Sequence, residues 1–189
     1  MVLAEVGRDR DAEDYIAAVR QWRGGRLAAY EEALAGLADG ETAAFLVWGD
    51  PAVYDGTIAV LDEIQGRDRV GFDIEVIPGI SAASALAARH RVPLGHVGQS
   101  ILFTTGRRLR TDGIPEGVDN VVVFLDGAEA YREVDYDVDI WWGAFLGTDD
   151  ELLVDGPLAA TRDEIARVRA EAKQRTGWMF DTYLLRRRR

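Results

Sequence analysis

The chain has 189 residues, 48% hydrophobic and 29% charged, without a single cysteine. That length can bury the core of one large domain or two small ones, and the missing cysteines exclude disulfides, thiolate metal sites and a cysteine nucleophile. With 33 acidic residues against 22 basic, the net charge of −11 disfavours nucleic acid as a partner.

His90 and His96 are the only histidines, so no metal cluster is expected. The opening VLAEVGRDRD has no apolar signal-peptide core and no later stretch approaches a membrane span, so the sequence reads as cytoplasmic with no membrane partner.

Residues 2–6 alternate weakly, as in a short strand, and 8–14 read as a charged loop with Asp11 placed to cap a helix. From 12 to 37, apolar residues such as Tyr15, Val19, Trp22, Leu27, Tyr30 and Leu34 recur at helical spacing, interrupted at Gly24-Gly25. This predicts one long helix with a weak middle, or two helices, ending near Asp39-Gly40. The run AAFLVW at 43–48 is too short for a helix and lacks polar alternation, which fits a strand covered on both faces. It stops at Gly49-Asp50-Pro51, and a helix follows from Thr57 to about Gln65. After a loop at 66–71, residues 72–77 predict another short strand closed by Pro78-Gly79. An alanine-rich helix then runs to Arg91, with Ser81 as its N-cap. Strand, helix, strand, helix is the rhythm of an α/β domain, and ligands in such folds sit in the loops at the carboxyl ends of the strands.

The rhythm lapses after Pro93, which places a boundary near 93–100 and divides the chain into domains 1–97 and 98–189. Strands are expected at 101–105, 121–125, 139–146, 152–154 and 178–185, with helices at 128–134 and 158–171. Arg107 and Arg108 fall in the loop after the first of these strands. The arginine run 186–189 reads as a solvated tail, with an anchor on an anionic surface as the alternative.

Two turns, GDPAVY at 49–54 and VIPGISAASALAA at 76–88, resemble in this order and spacing the tetrapyrrole (corrin/porphyrin) methylase family. The segments VWGDPAVYD, ALAARHR, TTGRRL at 104–109, DIWWGAFLGTDDELL at 139–153 and DTYLLRR at 181–187 extend the resemblance to essentially the whole chain. They look most like the deacetylating branch of cobalamin biosynthesis. The resemblance implies a two-domain α/β fold whose N-terminal domain is truncated, because the strand and GxGPGD-type loop that open the family pattern are absent. A displaced start, a fragment and a genuine short form all remain open.

The same resemblance implies S-adenosylmethionine as cofactor, a tetrapyrrole substrate and a homodimer. In the branch it implies methylation of precorrin-5 at C-1 with release of acetate. Trp48, Gly49, Asp50 and Val53 would line the cofactor from one turn and Ser81 and Ala82 from the other. Leu125 and Ala144 match positions of further cofactor contacts. The bends at 49–51 and 78–82 are expected to face each other over one pocket. A polycarboxylate substrate calls for local basic groups, and Arg107 and Arg108 are the candidates, since guanidinium pairs bidentately with carboxylate.

Each residue also has a plainer reading. Gly49 and Pro51 make a turn in any case, Asp50 is a candidate cap for the next helix, Ser81 is an N-cap, and Leu125 fits a core. Tyr54, Asp50, His90 and His96 are the polar groups considered as the deacetylation base, and none is assigned. The alternatives in function are another tetrapyrrole methylase, or an inactive fragment that only dimerises. The absence of GxGxxG after any predicted strand disfavours a nucleotide-dependent oxidoreductase.

Overall fold

A computed structural model of the chain describes residues 14–177 and 179–188. The strand expected at 2–6 and the cap expected at Asp11 lie outside the described residues. The chain forms two compact units, Met1–Gly79 and Ile80–Arg189.

In the first unit, α1 (Tyr15–Ala35) begins where Asp14 Oδ1 accepts the Ala17 amide at 3.0 Å. It runs unbroken through Gly24-Gly25, so the sequence holds one helix there. Each glycine costs a helix interior about 1 kcal/mol relative to alanine, whereas each buried aliphatic side chain returns about 1.5–3 kcal/mol. Leu27 and Leu34 supply that burial against Val60, Leu61 and Ile64 of α2 (Thr57–Gly66).

The strands predicted at 43–48 and 72–77 do not form: both segments lack a ladder partner among the described residues. Nor is 43–48 covered on both faces, since Phe45 packs on the helix pair while Leu46 is 96% exposed. Extended backbone becomes sheet only when a neighbour takes its N–H and C=O groups, and here helices cover one side and nothing pairs laterally.

The second unit begins with α3 (Ala82–His90) and holds a five-stranded sheet. Its strands are β1 (Ile101–Thr105), β2 (Asn120–Phe124), β3 (Val138–Ala144), β4 (Leu152–Pro157) and β5 (Asp181–Arg187), in the order β1-β2-β5-β3-β4. Only β1 and β2 pair in parallel; β5 is antiparallel to both β2 and β3. The last strand of the chain is thus central, which accounts for the complete burial of Tyr183, Leu184 and Leu185.

Helices α4 (Gly106–Asp112) and α5 (Leu158–Thr176) and a 3-10 turn (Ala130–Glu133) cover one face. There Trp142, Ala144, Tyr131, Leu158, Ile165 and Tyr183 share one core. Leu86 of α3 meets the sheet at Gly143, whose neighbours Trp142 and Ala144 point to the first face, so α3 lies on the second. This packing gives α3 to the sheet unit, and the units part at Gly79 rather than at 93–100.

Two further expectations change. Arg107 and Arg108 stand in helix α4, because Thr105 Oγ1 accepts the Arg108 amide and starts the helix directly after β1. The arginine run is not a free tail through residue 188. Arg186 donates to Asn120 Oδ1 at 2.7 Å and lies over Trp141, Arg187 donates to the Val118 carbonyl at 3.1 Å, and Arg188 pairs with Asp137 and Asp139.

Candidate functional site

The first unit contributes one bend. Val53 donates its amide to the Asp50 carbonyl at 3.0 Å, closing a turn whose second residue is Pro51, where a fixed φ is favourable. Asp50 Oδ1 accepts the Ala52 amide at 2.8 Å and Oδ2 accepts the Gly79 amide at 3.2 Å. Both carboxylate oxygens therefore hold backbone, and the start of α2 is served by Asp55 instead, which accepts the Thr57 amide at 2.7 Å. Gly49 sits at φ +70°, and a Cβ on Gly79 would collide with the Gly49 carbonyl. The bend at 49–51 and the Gly79 turn are in backbone contact. Trp48 is 78% exposed beside them, Val53 is half-buried, and Tyr54 takes a left-handed φ of +54°.

In the second unit the register aligns Thr105, Phe124, Thr182 and Gly143 in one row across four strands. Strands β1, β2 and β3 share a direction, so the residues that follow this row, Gly106, Leu125 and Ala144, gather at one edge of the sheet. Leu86 lies against Gly143 and His90 Nε2 donates to the Trp142 carbonyl at 3.0 Å. Helix α3 thus runs antiparallel to β3 and turns its first residues, with Ser81 and Ala82, toward that same edge. Arg107 and Arg108 follow Gly106 there. Within this unit the structure brings Ser81, Ala82, Arg107, Arg108, Leu125 and Ala144 to the carboxyl ends of the strands, where α/β sheets bind ligands.

Their surroundings differ. Ser81 Oγ accepts the Ser84 amide at 3.2 Å, which makes it the N-cap. Leu125 is 55% exposed with φ +53°, so it is no core residue; Ala144 is fully buried and its side chain belongs to packing. Arg107 is exposed and makes no ion pair among the described residues, while Arg108 pairs with Asp112 at 2.9 Å. Of the base candidates, the His90 ring is tied to Trp142 with Asp155 at 3.4 Å on its other nitrogen, and Asp50 is spent on the bend. Burial raises the Tyr54 phenol above its ordinary value, so it stays protonated. His96 is exposed, and its backbone amide donates to Gln99 Oε1 at 3.0 Å.

The sequence reading missed Asp126 beneath Leu125, and Gly106, where a Cβ would strike the Asp126 carboxylate. The signal for both was their place at the end of a strand, β1 for Gly106 and β2 for Asp126. A cavity of about 380 Å³ lined by Leu109, Arg110, Ile114, Glu133 and Tyr136, among others, includes none of the predicted site residues.

Each unit, taken by itself, carries features that suit an adenosyl sulfonium. Trp48 in the first unit and Leu125 in the second each present exposed apolar surface of the kind adenine packs on, and the first-turn amides of α3 that Ser81 does not cap suit a carboxylate.

The profile of the Tetrapyrrole (Corrin/Porphyrin) Methylases matches residues 6–161. The chain is 43% identical over 183 residues to a Precorrin-6A synthase [deacetylating] of Sinorhizobium sp, covering 95% of this chain and 69% of that one. It is 34% identical over 96 residues to a Uroporphyrinogen-III C-methyltransferase of Cyanidium caldarium, covering 46% of this chain and 37% of that one. Among solved structures, the cobalamin synthesis related protein (CobF) from Corynebacterium diphtheriae superposes with a TM-score of 0.78 at 34% identity, covering 90% of this chain and 72% of that one.

Proposed function

The chain belongs to the tetrapyrrole (corrin/porphyrin) methylases, and from that membership we propose that it methylates precorrin-5 at C-1 and releases acetate, giving precorrin-6A. It is an S-adenosylmethionine-dependent methyltransferase of cobalamin biosynthesis. The observation that carries the finer reading is the identity to a deacetylating synthase along 95% of the chain, against 46% for the uroporphyrinogen methyltransferase.

When bound, the cofactor supplies an electrophilic methyl group, so the protein's task is alignment and exclusion of water rather than covalent catalysis. In the first unit Trp48, Gly49 and Val53 are assigned to the cofactor, with Asp50 holding their bend. In the second, Ser81, Ala82, Leu125 and the backbone at Ala144 are assigned to it. Arg107 is the first choice for a substrate carboxylate, because Arg108 is already paired. No residue is assigned as the base for deacetylation. Among the described residues no helix is long and apolar enough to cross a membrane. A cytoplasmic homodimer without nucleic-acid or metal partners completes the proposal.

Turnover of precorrin-5 with S-adenosylmethionine, followed by acetate release, tests it. Methyl transfer without acetate would point to another tetrapyrrole methylase. Titration with S-adenosylhomocysteine that gives no heat would leave only a dimerisation module.

A further inference from the structure

Leu125 is the single joint between two bodies that are held fixed. On one side Phe124 is locked in the sheet opposite Thr105 and Thr182. On the other, Asp126 is 3% exposed and held at both its ends. Its Oδ2 accepts from the Tyr183 hydroxyl at 2.7 Å and the Ala130 amide at 2.7 Å, and its Oδ1 from the Ala128 amide at 3.3 Å. Its carbonyl accepts from Arg169 Nη2 at 2.7 Å. Arg169 is buried and is itself gripped by Asp181 at 2.9 Å and Glu129 at 3.1 Å. The φ left to the joint is +53°, a region leucine adopts only under constraint.

We propose that Asp126, backed by Tyr183 and Arg169, is a positioning group for cofactor binding. It forces the left-handed bend that presents the backbone and half-exposed side chain of Leu125 at the carboxyl edge of the sheet. The inference rests on the assignment of Leu125 to the cofactor. Gly106 fits the same scheme, since any side chain there would displace the Asp126 carboxylate. Burial and the neighbouring carboxylates push the Tyr183 phenol well above its ordinary value, so it keeps its proton and goes on donating across the neutral range. Tyr183→Phe removes that donor alone and retains the ring, which packs edge-on to Tyr131 at 5.6 Å.

The test is a double-mutant cycle read by calorimetry of S-adenosylhomocysteine binding to the full chain. Tyr183→Phe is expected to weaken binding about tenfold in the wild-type background and less than about twofold in the Leu125→Gly background, because glycine takes the left-handed conformation unaided. Leu125→Asn, which also tolerates that conformation, serves as a second background if the glycine variant binds too weakly to measure. Equal losses in both backgrounds, or no loss in either, would overturn the positioning role. No heat with the wild-type chain would instead overturn the cofactor assignment, and this inference with it. If circular dichroism shows that Tyr183→Phe has not folded, Asp126→Asn takes its place in the cycle and the same outcomes decide.

Discussion

Asp50 and Gly79 are joined across 29 positions of sequence: the Asp50 carboxylate accepts the Gly79 amide at 3.2 Å, and the two turns touch backbone to backbone. The space beside Gly79 is closed by the Gly49 carbonyl, which cannot swing aside as a side chain would. Gly79→Ala is therefore expected to force the turns apart at about 1–3 kcal/mol, as for other overpacked sites. Thermal melts would register the loss and calorimetry a parallel loss of S-adenosylhomocysteine binding. A variant as stable as wild type would show that the turns are not in contact.

Trp48 separates a binding role from a structural one. At 78% exposure its removal should change stability by no more than about 0.5 kcal/mol, the usual range for surface positions. If the indole covers the cofactor, Trp48→Ala should weaken S-adenosylhomocysteine binding about tenfold or more, in line with losing a stacked aromatic contact. Melting and titration of one preparation decide it. Unchanged binding would remove Trp48 from the site.

Arg107 and Arg108 are adjacent but not equivalent. Arg108 already spends its charge on Asp112 at 2.9 Å, whereas Arg107 makes no ion pair among the described residues. A charge-assisted hydrogen bond contributes about 1.5–3 kcal/mol, so Arg107→Ala should raise KM for the polycarboxylate substrate at least about tenfold with kcat little changed. Arg108→Ala should have the smaller effect. Steady-state kinetics on the pair would overturn the ranking if Arg108 proved the more sensitive.

What could be read from the sequence followed from local chemistry. Ser81 before an alanine run specifies a cap and a helix, and β-branched Val121 to Val123 specify a buried strand; both formed as read. The 43–48 run failed because strand character is a property of pairs: AAFLVW has the side chains of a strand and no partner among the described residues. Arg107 and Arg108 were misplaced because a threonine cap starts α4 with no loop between, a choice made by the single side chain of Thr105. The role of Asp126 was hidden for a deeper reason. Its partners Tyr183 and Arg169 come from the far end of the chain, and only the central position of β5 brings them to it.

Glu151 gives the clearest dependence on pH. Its Oε2 accepts the Gly147 amide at 3.0 Å, closing the turn between β3 and β4, and its Oε1 pairs with Arg89 of α3. The Gly147 amide first, and Arg89 after it, hold the carboxyl below its ordinary value of 4.5 despite some opposing burial. A carboxylate whose folded-state pKa is depressed contributes its full stabilisation above the unfolded value and loses it as pH falls through the folded one. Glu151→Gln should therefore be less stable than wild type near neutrality, by about 1 kcal/mol or less for a pair whose arginine is largely exposed, and the gap should close in acid. Urea midpoints for both proteins, from neutral pH down to about pH 3, would trace that closure. A gap that stays constant across the range would mean that the glutamate acts through its shape and not its charge.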